Sequence, residues 1–299
     1  MEHSRLITIS APSDLALPAF LFPGEGSTPS DEGKIQTLVD LLCMRSRHSP
    51  NKGYTYLVDG ELLEAFLSFS QLDQQARSVA AMLQQMGLSG QRALLLFPTG
   101  LEFLAGYFGC LYARVQAIPA PLPMVSRLAR MMPRIQGILE DATPGIVLTD
   151  RSSCEVLEEL GRGSEFFARL PQLVVEDCLD IPASSWQEPR VCGADIAHLQ
   201  YTSGSTSDPR GTLISHANVL ANLRQMQEGK GYTSSSRSVM WVPAYHDDGL
   251  VHGLIQPIFS GASTVLLSPS DVISRPDRWL RAISRYRATH AGGPNFLYE

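Results

Sequence analysis

Short apolar runs alternate with longer stretches of helical periodicity along most of this chain. The β-type runs are "RALLLF" (92–97), "GIVLT" (145–149), "QLVV" (172–175), "HLQY" (198–201), "SVMWV" (238–242) and "STVLLS" (263–268). Amphipathic or apolar helical segments lie between several of them, near 101–113, 127–140, 216–228 and 276–287. Strand–helix alternation of this kind predicts an α/β protein, with mostly parallel sheets flanked by helices.

One further helix is expected in "LSFSQLDQQARSVAAMLQQMG" (67–87). Ser70 with Asp73 three residues on resembles a capping box, and Gly87 can close the other end. Leu72, Ala76, Val79, Leu83 and Met86 then share one face. The longest apolar run, "FLAGYFGCLYA" (103–113), is too short to span a bilayer and reads as a buried helix. Residues 1–33 are rich in Pro, Gly, Ser and Asp and read as an extended arm. The rest, 34–299, reads as one domain, with sub-parts at approximately 88–230 and at 34–87 with 231–299.

Composition narrows the function classes. The chain has 299 residues and a net charge of −6, so the basic footprint of a nucleic-acid binder is absent. Its five cysteines are scattered, odd in number and without a CxxC pair, which disfavours zinc ribbons, redox motifs and disulfide scaffolds. With no charged-then-apolar leader in "MEHSRLITISAPSDLALPAF", a cytoplasmic setting is expected.

The chemistry concentrates in "YTSGSTSDPRG", residues 201–211. Small hydroxyls, two glycines and one guanidinium suit an anion: backbone N–H groups converge, hydroxyls add donors, and Arg210 adds charge. A solvated Ser/Gly/Pro turn is the other reading of the same residues. Neither a Walker loop nor a G-x-G-x-x-G fingerprint fits, because Pro209 stands where the second Walker glycine belongs. There is no G-x-S-x-G elbow either. His246 and His252 lack a Cys or carboxylate at ligand spacing, so a zinc site is not expected.

This loop closely resembles the phosphate loop of adenylate-forming enzymes, usually written YTSGSTGxPKG. Two further stretches, "WVPAYHDDGLVHGLIQPIFSGASTVLLSP" (241–269) and "RPDRWLRAISRYRATHAGGPNF" (275–296), resemble the fatty acyl-AMP ligase branch. So does "LEFLAGYFGCLYARVQAIPAPLP" (101–123). The resemblance implies that Thr202, Ser203, Gly204, Ser205, Thr206, Ser207 and Gly211 cradle the ATP phosphates, with Thr206 also touching Mg²⁺. It implies that Arg210 and His246 are catalytic, the latter near the acyl carboxylate and the α-phosphate, where a neutral His can donate a hydrogen bond. Tyr245 and Asp247 become substrate-side residues, Asp247 either orienting His246 or capping a turn. Gly292, Gly293, Pro294 and Asn295 are implied to line the acyl tunnel. Arg278, Arg281 and Arg285 share a helical face by spacing and are carried forward as a candidate docking face for an acidic carrier protein.

The sequence departs from the pattern at Ser207 (commonly Gly), Arg210 (Lys), Asp248 (Met) and Arg114 (Gly). Asp248 matters most, since a carboxylate beside anionic substrates repels them unless it turns away or helps to hold Mg²⁺. The chain stops at "GGPNFLYE", which reads as a cut through a fold. The adenine-binding strand, the Mg²⁺-binding Glu, the hinge and the C-terminal lid are not in it. The complete enzyme is therefore expected to join a fatty acid and ATP into acyl-adenylate and pyrophosphate, then pass the acyl group to the phosphopantetheine thiol of an acyl carrier protein. The fragment alone is expected to be inactive. An acyl-CoA synthetase and a non-catalytic nucleotide- or acyl-binding remnant are the alternatives.

Overall fold

The computed structural model describes residues 7–8, 35–202 and 209–297. These form two compact units, one built from residues 7–8 with Gln74–Pro98 and Glu102–His216, the other from residues 35–73, Thr99–Leu101 and the chain from Ala217 onward.

The first unit carries a seven-stranded sheet. Its strands are β1 (Ile7–Thr8), β4 (Arg92–Phe97), β5 (Gln116–Pro121), β6 (Ile146–Thr149), β7 (Gln172–Val174), β8 (Ile196–Thr202) and β9 (Arg210–Ser215), in the order β1-β9-β8-β5-β4-β6-β7. Every neighbouring pair is parallel except β8–β9. The second unit holds β2 (Gly53–Leu57), β3 (Glu64–Ser68), β10 (Arg237–Met240), β11 (Ser263–Leu266) and β12 (His290–Ala291), ordered β12-β10-β11-β2-β3. There the β2–β3 hairpin is the one antiparallel pair.

Burial explains the strand patterns. In β4 the run Ala93–Phe97 is wholly buried, as is all of β6, so both lack the alternation of a half-exposed strand. Helix α1 (Leu38–His48) and helix α2 (Phe69–Gln85) precede α3 (Glu102–Tyr112), which is buried from Phe103 to Tyr112. Helix α4 (Leu128–Ala142) turns Ile135, Ile138, Leu139 and Ala142 onto Leu94, Ile118, Val147 and Leu199 of the sheet. In the second unit, Trp279 and Ala282 of helix α5 (Asp277–Tyr286) pack on Val239, Val265 and Leu57.

Several details differ from the sequence reading. Helix α2 starts earlier than expected: Ser68 Oγ accepts from Gln71 N at 3.1 Å and Gln71 Oε1 accepts from Ser68 N at 2.9 Å. That is a capping box of the Ser-x-x-Gln kind, and it supersedes Ser70 and Asp73. Asp73 instead accepts from the Cys43 thiol at 3.6 Å. Gly87 ends the helix as expected, at φ +71°, with Leu88 N donating to Leu83 O and Gly87 N to Gln84 O in a Schellman closure. On the expected face Leu72, Ala76, Val79 and Leu83 are buried, whereas Met86, beyond the last turn, is exposed. Strand β5 escaped notice because its two prolines argue against a central strand. It is tolerated because the ladder to β8 has its bridge at Ala117↔His198, before Pro119.

Arg114 sits at φ +60° between α3 and β5. That left-handed conformation is why glycine suits the position, and an arginine there costs on the order of 1 kcal/mol.

Candidate active site

In the first unit the hydroxyl-rich stretch is the tip of the β8–β9 hairpin. Register places Tyr201 opposite Gly211 and Thr202 opposite Arg210. Ser203, Gly204, Ser205, Thr206 and Ser207 lie outside the described residues. Gly211 is buried in β9, while Arg210 begins that strand exposed, where a guanidinium can meet an anion. Tyr201, at the entry to the tip, is buried, and its hydroxyl donates to Asp141 Oδ2 of α4 at 2.7 Å. Burial and that carboxylate push its phenol far above the ordinary tyrosine range, so the proton stays on Tyr201.

In the second unit Trp241–Asp247 links β10 to a π-helix at Asp248–Ile255, a rare winding often found at functional sites. Gly249 makes this turn possible. A Cβ there would stand 2.1 Å from Pro243 O, so the backbones meet where no side chain fits. The His246 backbone is fixed on both sides, its N–H donating to Pro243 O at 3.0 Å and its carbonyl accepting from Leu250 N at 2.8 Å. Its ring is exposed, 4.7 Å from that of half-buried Tyr245. Asp247 Oδ1 accepts from Asp248 N at 2.9 Å, which is the capping role of the two open to it.

Asp248 is wired into a network that sequence reasoning missed. His252 Nδ1 lies 3.0 Å from Asp248 Oδ1, and His252 Nε2 lies 2.9 Å from the Tyr232 hydroxyl. Tyr232 OH is also 3.2 Å from Ser238 Oγ. The set is self-consistent if Ser238 donates to Tyr232, Tyr232 to Nε2, and Nδ1–H to Asp248, an assignment made from the partners available. Lys230 Nζ lies 3.3 Å from each His252 ring nitrogen, and the Tyr232 ring stacks on His290 at 3.8 Å. The His252 hydrogen bond holds the Asp248 carboxyl below its ordinary value, with the charges of Lys230 and His246 acting in the same direction. The carboxylate that looked repulsive in sequence is thus partnered within its own unit. A readable signal was available, since Asp248 and His252 are four apart.

Pairing of β12 with β10 (Ser238↔His290, Val239↔Ala291) carries the following glycines to the same place. A Cβ on Gly292 would lie 3.9 Å from His252 Cε1, and one on Gly293 would lie 3.0 Å from Trp241 Nε1. Pro294 and Asn295 are exposed. Trp241 is itself buried, and its indole Nε1 has no hydrogen-bond partner among the described residues. The second unit therefore gathers Trp241, Tyr245, His246, Asp247 and the Gly292–Asn295 turn around one end of β10.

The basic face of α5 does not survive as a docking site. Arg278 pairs with Glu61 at 3.1 Å and Asp271 at 3.3 Å, Arg281 with Asp277 at 2.9 Å, and Arg285 with Glu64 at 2.8 Å. Each guanidinium already has a carboxylate, which leaves little field for an acidic partner. Among the described residues no cluster of three or more His, Cys, Asp or Glu could hold a metal ion, and no helix is long and apolar enough to cross a membrane.

Over 268 residues, 89% of this chain and 45% of the relative, the sequence is 46% identical to the medium-chain fatty-acid–acyl-carrier-protein ligase JamA of Moorena producens. It is 33% identical to the 4-hydroxyphenylalkanoate adenylyltransferase of Mycobacterium tuberculosis, over 93% of this chain and 46% of that protein. The fatty acyl-adenylate ligase of L. pneumophila, solved with acyl adenylate and pyrophosphate, superposes with a TM-score of 0.81 at 36% identity, covering 89% of this chain and 45% of the other. The chain thus spans about half the length of the curated relatives it matches. The sequence model of the AMP-binding enzymes matches residues 47–299, and the chain belongs to that family.

Proposed function

We propose that the full-length protein carrying this chain activates a fatty acid with ATP, giving acyl-adenylate and pyrophosphate, and passes the acyl group to the phosphopantetheine thiol of an acyl carrier protein. The observation that carries this reading is the 46% identity to a fatty-acid–acyl-carrier-protein ligase across both units. In the first step a carboxylate oxygen bonds to the α-phosphorus while the bond from that phosphorus to the departing pyrophosphate breaks. Thr202, Ser203, Gly204, Ser205, Thr206 and Ser207 cradle the leaving phosphates, Gly211 allows close backbone approach, and the exposed Arg210 adds a guanidinium. His246 donates a hydrogen bond toward the carboxylate and α-phosphate, supported by Tyr245 and by the Asp247 cap. Gly292, Gly293, Pro294 and Asn295 border the acyl path beside Trp241.

With no ready metal cluster among the described residues, Mg²⁺ would arrive on the phosphates, with the Thr206 hydroxyl as its contact from this chain. When bound, it supplies neutralisation of the pyrophosphate charge. The odd, scattered cysteines favour a cytoplasmic setting. In this reading the chain is the first part of the large adenylation domain, residues 1–33 being its arm, and the lid lies in the rest of the protein.

Pyrophosphate–ATP exchange by the full-length protein tests the first step and should appear only with fatty acid added. Acyl transfer is then offered a phosphopantetheinylated carrier protein or CoA. Loading of the carrier is the expected outcome; acyl-CoA as the main product would overturn the acceptor, and exchange indifferent to fatty acid would overturn the whole reading.

A further inference from the structure

Helix α4 packs along the β8–β9 hairpin and makes a contact on each side of its tip. On the entry side the buried Tyr201 hydroxyl donates to Asp141 Oδ2 at 2.7 Å. On the exit side Pro209 packs on Gly137, so closely that a Cβ on Gly137 would stand 2.8 Å from Pro209 Cδ and 2.9 Å from Cγ. Gly137 and Asp141 are four residues apart, one turn of the same helix, and so lie on one face. That face is set from beneath by Ile138, Leu139 and Ala142, which are buried against the sheet together with Leu199 and Tyr201.

We infer that Gly137 and Asp141 are positioning residues that fix the two ends of the phosphate loop, and so set how its donors present to ATP. The inference rests on the loop assignment made above. Strand pairing holds Tyr201 opposite Gly211 and Thr202 opposite Arg210, and the helix adds one contact at Tyr201 and one at Pro209. Donors aimed at an anion act best when they are held in place before the ligand arrives. The proline ring cannot swing away as a flexible side chain would, because it is closed onto its own backbone. Filling the notch at Gly137 therefore shifts the chain at Pro209, next to Arg210. The glycine is costly within a helix interior, where alanine would be favoured. Its notch is a reason for it that helix stability does not give.

The test uses the full-length protein, with KM for ATP, KM for fatty acid, kcat and Tm measured for Gly137→Ala, Tyr201→Phe and Gly137→Ala with Pro209→Ala. Gly137→Ala should raise the KM for ATP by about 10-fold, since small displacements of positioned groups are costly. It should leave the fatty-acid KM within about twofold, with the helix gain from alanine offsetting part of what the contact with Pro209 costs in Tm. Adding Pro209→Ala removes the ring and should restore most of the ATP KM, which a purely structural role would not do. Tyr201→Phe should raise the ATP KM by about fivefold through loss of one charge-assisted hydrogen bond. Titration of ATP into the same variants should show the same ranking. An unchanged ATP KM in Gly137→Ala, or a double variant no better than the single, overturns the inference while the exchange activity stands. Absence of fatty-acid-dependent exchange in the unmodified protein overturns the loop assignment and this inference with it.

Discussion

The hairpin tip of the first unit and the π-helix end of the second handle charge in opposite ways. Around the tip the described residues offer an exposed guanidinium, Arg210, while the ionisable groups behind it, Tyr201 and Asp141, are spent on each other. Around the π-helix, Asp248, His252, Tyr232, Lys230 and His290 form one connected set, and His246 stands exposed next to it. One region leaves its charge exposed; the other uses most of its charge internally. A carboxylate near an anionic substrate is therefore not in itself an obstacle. What matters is whether the fold supplies it with a donor.

That contrast can be broken at several points. Gly249→Ala should have the largest effect, about 3 kcal/mol or more of lost stability, because the added carbon meets backbone that cannot relax cheaply. Urea unfolding of the full-length protein measures it, and a loss below 1 kcal/mol would mean that the π-helix is not held by this close approach. His252→Ala should cost roughly 2 kcal/mol, since it strips a partner from the buried Tyr232 hydroxyl and from Asp248 at once.

A pH series sharpens the point about Asp248. Its folded-state pKa is depressed from 3.8, so the stability it contributes is present above that value and disappears as pH falls through the lower, folded value. Asp248→Asn should therefore be less stable than the parent near neutral pH, with the gap closing below about pH 4. A gap that stays constant through acid would show that the carboxylate charge does not engage His252. The smallest effect is expected away from both regions. Arg114→Gly should stabilise by about 1 kcal/mol by relieving the left-handed backbone, because the exposed ion pair to Asp195 that it forfeits is worth little.

Much of the fold was legible because the parallel strands carry their own signature. The runs Leu94–Leu96 and Val147–Leu148 are apolar without alternation, and Gly87 announces a helix end through its backbone freedom alone. Strand β9 was hidden because its first residues belong to the loop motif, and β5 because proline is a poor strand signal. Of the candidate site, only the contiguous stretches are legible in the sequence. "YTSGSTSDPRG" and "WVPAYHDDGL" stand out as strings, whereas Tyr232, His252 and His290 meet only after β10 and β12 pair. The arginines of α5 mislead for the converse reason. Spacing shows that they share a face, but not that Glu61, Glu64 and Asp271 come to meet them.

The central claim is that the hydroxyls following Tyr201 hold the polyphosphate of ATP. Steady-state kinetics of fatty-acid-dependent pyrophosphate–ATP exchange, comparing the full-length protein with its Thr206→Val variant, tests it most directly. The account predicts a loss of about 1–3 kcal/mol in kcat/KM for ATP, as for a lost contact to a charged group, with the fatty-acid KM little changed. Equal kcat/KM for ATP in the two proteins would contradict it.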